Sequence, residues 1–358
     1  MERNGQRHVA NVSTSGNAAA TGRQRNWSRW FAPVLGIALV GLAAFLLYRT
    51  LSRYSRDEIV ASLAGIPASH IAFAILFAAA SYLCLTGFDW LALRYVGQKL
   101  PYRKVALASF CSLSLGHNIG FAALSSGAIR YRFYSRWGVS GGDIAKIIVF
   151  CGTTVGLGLM ILGGCALLLR SDLAVKITGL SQAAVLGGGV ACFAAAGTYL
   201  VLSAWLRKPL RIRNWRIEMP PLRLALGQVV IGPINFAFVA GCLHQALAAL
   251  GDVSYPAVVT VYVIANVSAL ITHVPGGLGV IETVVLYLLP DANVIGGLLA
   301  FRAIYFLLPL AIGGPLFGLS ELILKSRKGS TNLTPGRPDG RAIRAAPEAA
   351  AGRASRFR

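Results

Sequence analysis

T-H-V-P-G-G-L-G-V-I-E, residues Thr272–Glu282, lies between two runs apolar enough to sit in a bilayer. Pro275 and the glycines Gly276, Gly277 and Gly279 work against a continuous helix through it. A broken backbone at membrane depth exposes N–H and C=O groups that no water satisfies, so it persists only where protein or a wet cavity covers it. Glu282 adds a carboxyl group seven residues past the proline, and an ionisable residue inside a membrane marks a functional site by default. The plainer reading is a Pro-Gly turn between two helices with Glu282 at the surface.

Composition places the whole chain in lipid. Of 358 residues 55% are hydrophobic and 13% charged, and mean hydropathy is +0.62; a soluble domain carries about 25% charged residues. The net charge of +21 sits in short basic clusters between apolar runs, which argues against nucleic acid and for topology determinants and contacts to anionic lipid head groups. Cys84, Cys111, Cys151, Cys165, Cys192 and Cys242 fall in apolar segments without C-x-x-C spacing and read as small buried hydrophobes. No metal or other cofactor is expected.

Working outward, residues 1–31 read as a disordered cytoplasmic tail and 325–358 as a second, basic one. Between them, 32–324 form one integral membrane domain. Pro33–Leu51, His70–Val96, Ile144–Leu169, Ala183–Leu206, Leu224–Leu250 and Val294–Leu324 are expected as full spans. Were every remaining apolar stretch also to cross, the basic loop Arg207–Arg223 would lie outside, against the positive-inside rule. The repair is to let Val105–Arg136 enter and leave on the cytoplasmic side, with Gly116–Gly120 near its tip. Pro256–Pro290 then does the same from outside, with Pro275–Gly279 at its tip. Inside holds 28 of the 34 Lys and Arg, outside holds 5, and Arg302 lies within the last span. The expected fold is an all-α polytopic membrane protein of about six transmembrane helices plus two re-entrant hairpins with arms of about 14–19 residues, roughly 20–28 Å if helical. Two inverted repeats, about 70–169 and 224–324, would place a substrate site at the midplane.

G-A-I-R-Y-R-F-Y-S-R with Asp143-Ile144-Ala145, then P-G-G-L-G-V-I-E and F-R-A-I-Y-F-L-L-P, resembles the transmembrane domain of bacterial lysylphosphatidylglycerol synthases and the standalone membrane proteins grouped with it. The resemblance covers roughly Pro33–Leu324. It implies a flippase-like domain in the bacterial inner membrane with both termini cytoplasmic. In full-length synthases a separate cytosolic domain transfers lysine from tRNA. Here 34 residues follow Leu324, so no aminoacyltransferase, and no enzyme, is expected.

A flippase needs a laterally open polar groove whose charges replace head-group hydration. Arg130 and Arg132 suit a lipid phosphate, because a planar guanidinium matches it, or else snorkel at the inner interface. Asp89, roughly 10 Å deep, can pair with an arginine of the first hairpin. Asn118, Gly276 and Gly277 complete the substrate-binding candidates. Glu282 and Arg302 are the second expected pair, either a structural bridge or a proton-coupling site, and His117 and His273 are coupling candidates or helix-end caps. His244 and Asn266 are further polar groups within spans. The competing functions are a proton-coupled transporter of a small solute and a membrane partner of a lipid-modifying enzyme.

Overall fold

A computed structural model describes residues 64–119, 122–206, 210–212, 215–272, 279–288 and 294–330. The expected first span, Pro33–Leu51, and both extreme tails lie outside the described residues. The chain divides into two units, Met1–Phe317 and Gly318–Arg358.

α1 (Ala68–Tyr95) follows Pro67 and turns Ala74, Ala78, Ser81, Tyr82, Leu85, Asp89 and Ala92 inward. Phe73, Leu76 and Leu83 are exposed. Small and polar side chains share this interior with apolar ones, and bulky apolar ones also face outward, as a lipid solvent allows. α2 (Tyr102–Ile119) and α3 (Ala122–Arg136) form a hairpin. α4 (Gly141–Leu169) starts where Ser140 Oγ accepts the Asp143 N–H at 3.1 Å, an N-cap. A short α5 (Ser171–Thr178) and α6 (Gln182–Trp205) follow.

After α6 come two three-residue strands, β1 (Leu210–Ile212) and β2 (Trp215–Ile217), antiparallel with Arg211 opposite Arg216. The expected all-α fold thus carries a small ribbon in its basic loop. Its L-R-I and W-R-I segments alternate apolar and charged residues with the period of a strand. α7 (Leu222–Ala248), α8 (Tyr255–Thr272), α9 (Val280–Leu288) and α10 (Val294–Arg302) complete the core. A π-helical turn, Ala303–Leu307, then joins α10 to α11 (Leu308–Ser330). α11 passes the expected Leu324 boundary, and α9, at 9 residues, is shorter than the arm expected for the second hairpin.

Among the described residues, five helices are long and apolar enough to cross a membrane: Ala68–Tyr95, Gly141–Leu169, Gln182–Trp205, Leu222–Ala248 and Ile295–Leu322. They match the five expected spans that fall on described residues. α2 and α3, with 18 and 15 residues, extend about 27 and 22 Å, short of a hydrocarbon core of about 30 Å.

Contacts between helices fix their directions. Gly87 sits against Ile231, Gly227 against Leu91 and Gly241 against Phe77, so α1 and α7 are antiparallel. Gln228 Nε2 donates to Phe150 O and Thr154 Oγ1, and Gly158 lies on Gly232, so α4 is parallel to α7. A Cβ on Gly158 would stand 2.6 Å from the Gly232 carbonyl carbon; this crossing needs two glycines.

α2 runs antiparallel to α1, with Tyr102 hydrogen-bonded to Thr86 and His117 edge-on to Tyr82. Lys104 lies 5.6 Å over the Trp137 ring, so the base of the first hairpin closes beside the basic end of α1. α8 starts at the other end of the bundle. There Arg170 Nη1 donates to Ser254 Oγ at 3.3 Å, and α8 then runs back along α4, with Gly163 facing Val263. The two hairpins begin at opposite ends of the bundle. The order long helix, two short packed helices, long helix occurs twice, and the helices that open the two halves are antiparallel.

Candidate functional site

Asp89 and Arg130 meet inside the bundle. Asp89 is fully buried on α1, and the Arg130 side chain on α3 is 5% exposed. Arg130 Nε donates to Asp89 Oδ1 at 2.8 Å and Nη2 to Oδ2 at 2.9 Å, a bidentate fork. Tyr134 donates its hydroxyl proton to Asp89 Oδ1 at 3.0 Å, and Arg130 Nη1 reaches Ser126 Oγ at 3.0 Å. Spacing of four along α3 places Ser126, Arg130 and Tyr134 on one face. The carboxylate therefore accepts three hydrogen bonds, and the pair pins the first hairpin to α1.

The second expected pair also forms, with a different character. Arg302 Nε donates to Glu282 Oε1. The arginine side chain is 6% exposed and the glutamate 20%. Glu282 Oε2 reaches back to accept the Gly279 N–H at 2.8 Å, which caps the first turn of α9. Gly279 adopts φ +85°, a left-handed conformation that suits glycine at this entry to the helix. Arg302 precedes the π turn and lies 5.6 Å over the Phe306 ring. Glu282 thus holds α9 to α10 through its bond from Arg302, with an edge open to its surroundings.

Between the two pairs lies a neutral polar cluster. Ser81 and Asn235 stand halfway along α1 and α7. Ser81 Oγ donates to Asn235 Oδ1 at 2.8 Å. A hydroxyl has one proton, so Tyr305, 3.0 Å from Ser81 Oγ, donates to it. The π turn brings Tyr305 inward, where it stacks on Phe301 (5.6 Å, 7°) and on His117 (6.5 Å, 20°). Asn118 Nδ2 donates to Ser114 O at 2.8 Å and, at 3.4 Å, to Phe306 O in the π turn. Tyr82 Oη and His117 Nδ1 are buried without a hydrogen-bond partner. Such an orphan costs about 1–3 kcal/mol.

The remaining candidates divide. Arg132 is buried on α3 and engaged in interactions of its own. His244 bonds to Val253 O at 3.0 Å, where it ties the end of α7 to the following loop. Asn266 donates to the Tyr262 hydroxyl at 2.9 Å within α8. His273, Gly276 and Gly277 lie outside the described residues. Tyr134, Ser81, Tyr82, Asn235 and Tyr305 were not singled out from sequence, because neutral hydroxyls and amides inside apolar runs look like ordinary span residues. An apolar side groove of about 480 Å³ lies between α3 and α4, lined by Leu124, Gly127, Ala128, Tyr131 and Ile148.

Comparison with known proteins adds family membership to this geometry. Residues 34–313 match the family model of the lysylphosphatidylglycerol synthase TM region. An uncharacterized protein of Synechocystis sp. is 34% identical over 298 residues, covering 82% of this chain and 92% of that protein. The inner membrane protein YbhN of Escherichia coli is 28% identical over 242 residues, 65% of this chain and 74% of its own length.

Proposed function

The chain belongs to the lysylphosphatidylglycerol synthase TM region family and is a multi-pass integral membrane protein, and from that premise we propose that it moves a lipid head group between leaflets. The observation that carries this reading is the placement of its polar groups. Two arginine–carboxylate pairs, one buried and one partly buried, hold two short hairpins that begin at opposite ends of the bundle, and hydrogen-bonding groups occupy the midpoints of α1 and α7. Charges at this depth are retained where a substrate path needs them.

In this account both termini are cytoplasmic and the hairpins are re-entrant from opposite faces of the bacterial inner membrane. The basic loops then face anionic head groups of the inner leaflet. Arg130 and Asp89 act as a fixed anchor for the first hairpin, with Arg132 near the phosphate level. Glu282 and Arg302 form the pair that opens. Acyl chains stay in the surrounding lipid, and the apolar groove beside α3 gives one of them a track. The protein acts as a transporter and not as an enzyme.

The partial exposure of Glu282 favours a second reading, proton-coupled transport of a small solute. Vesicles reconstituted with the full chain separate the two. Leaflet exchange of labelled phospholipids, tested across a panel of head groups with and without a pH gradient, is expected of a lipid translocator. Vesicles that stay asymmetric for every head group under both conditions would refute it.

A further inference from the structure

The neutral cluster at the bundle midpoint has more hydrogen-bonding capacity than the protein uses. Three rings form a triangle with centroid separations of 5.7 Å (Tyr82–Tyr305), 6.5 Å (Tyr82–His117) and 6.5 Å (His117–Tyr305). Each comes from a different element: α1, the tip of the first hairpin and the π turn. Tyr305 is committed to Ser81. Tyr82 Oη and His117 Nδ1 are committed to nothing, although Tyr82 is 6% exposed and both atoms are shut away from solvent. Buried polar atoms are paired in the great majority of cases. Two orphans on adjoining rings, beside the tip of the first hairpin, therefore point to a partner absent from this conformation.

We propose that the Tyr82–His117–Tyr305 triangle is a binding site for an uncharged, hydroxyl-bearing group, a sugar or polyol, and that the structure shows it closed. The chemistry of the lining selects the class. A phenol hydroxyl and an imidazole nitrogen offer a donor and an acceptor to a hydroxyl. The faces of aromatic rings suit the C–H face of a sugar. The described charges nearby are already engaged, Arg130 with Asp89 and Arg302 with Glu282, so the triangle itself offers no free charge to an ionic head group.

Closure is held lightly at the hairpin tip, where Asn118 Nδ2 meets Phe306 O across 3.4 Å. Single π turns inside longer helices are frequent at functional sites. Release of that contact separates His117 from the π turn and uncovers both orphans together. A glycolipid head group or a free sugar satisfies the same atoms. The glycolipid source rests on the translocation reading, whereas binding as such does not.

The test uses the full chain in phosphatidylcholine nanodiscs and follows its thermal midpoint. One arm adds glucosyl diacylglycerol to the discs, a second adds plain diacylglycerol, and a third adds free methyl glucoside to the buffer. Glucosyl diacylglycerol is expected to raise the midpoint and plain diacylglycerol to leave it unchanged. A rise with methyl glucoside alone assigns the site to a soluble sugar. In Tyr82→Phe and in His117→Phe the sugar-dependent rise is expected to disappear. The sugar-free midpoint should increase by about 2–5 °C, because an orphan polar atom has been removed.

A lower midpoint in Tyr82→Phe, or an undiminished sugar-dependent rise in both variants, would overturn the proposal. So would the absence of any rise with either sugar in the native protein. Sugar-dependent stabilisation without leaflet exchange would leave the site standing and remove the translocation reading. Leaflet exchange by a native protein that shows no sugar-dependent rise would do the reverse.

Discussion

Replacing Asp89 by asparagine keeps the volume and removes the charge. Two charge-assisted bonds from Arg130 are lost or weakened, at 2.8 and 2.9 Å in the native protein. The guanidinium remains on α3, 5% exposed, with Ser126 Oγ as a neutral partner. Breaking a buried pair by removing one member costs about 3–5 kcal/mol, most of it from the stranded charge. For a domain of this size that corresponds to a thermal midpoint lower by on the order of 5 °C.

Arg130→Gln strands the carboxylate instead, and Tyr134 softens the loss because its hydroxyl still donates to Asp89. The double variant Asp89→Asn with Arg130→Gln leaves neutral groups that can bond to one another, and it should recover most of the stability. Midpoints of all four proteins in one detergent give the coupling energy directly. Single variants within about 0.5 kcal/mol of the native protein, the range of ordinary surface changes, would refute the claim that this pair anchors the hairpin.

Glu282→Gln and Arg302→Gln should each lower the midpoint less than the Asp89 and Arg130 variants, because the Glu282 carboxylate is 20% exposed whereas Asp89 is fully buried. Equal losses at the two pairs, read in the same thermal assay, would contradict that ranking. Gly158→Val should prevent the close crossing of α4 and α7, since its Cβ would stand 2.6 Å from the Gly232 backbone; normal yield and midpoint would show that the helices can part without penalty. Cysteines introduced at Ser140 and Asn214 should label from the cytoplasmic side, and those at Asp252 and Asp291 from outside. Labelling of position 214 from outside would overturn the expected topology.

Charge told most of the architecture in advance. A carboxylate and an arginine inside apolar runs are costly enough to imply a partner, so Asp89 with a first-hairpin arginine and Glu282 with Arg302 were both legible before any coordinates. The positive-inside count called for hairpins from opposite sides; the packing shows α1 and α7 antiparallel, and the sidedness itself waits on labelling. What escaped notice was neutral. Tyr134 completes the Asp89 site, yet in Y-R-F-Y-S-R it reads as one more aromatic residue. Ser81 and Asn235 lie 154 positions apart and become partners only once α1 and α7 pack antiparallel. The π turn that swings Tyr305 inward has no sequence signature of its own, although F-R-A-I-Y-F marks its place. The ribbon at Leu210–Ile217 did carry a period-2 pattern, which the density of arginines obscured.

The central claim, that this bundle carries a lipid head group past its buried charges, is tested most directly by leaflet exchange in vesicles. The native chain is compared with the double variant Glu282→Gln with Arg302→Gln, which leaves no unpaired charge and whose folding is checked by its thermal midpoint. The account predicts exchange by the native protein well above protein-free vesicles, and exchange near the protein-free level for the folded double variant. Native protein that exchanges no lipid faster than empty vesicles, or a double variant as active as the native chain, would contradict it.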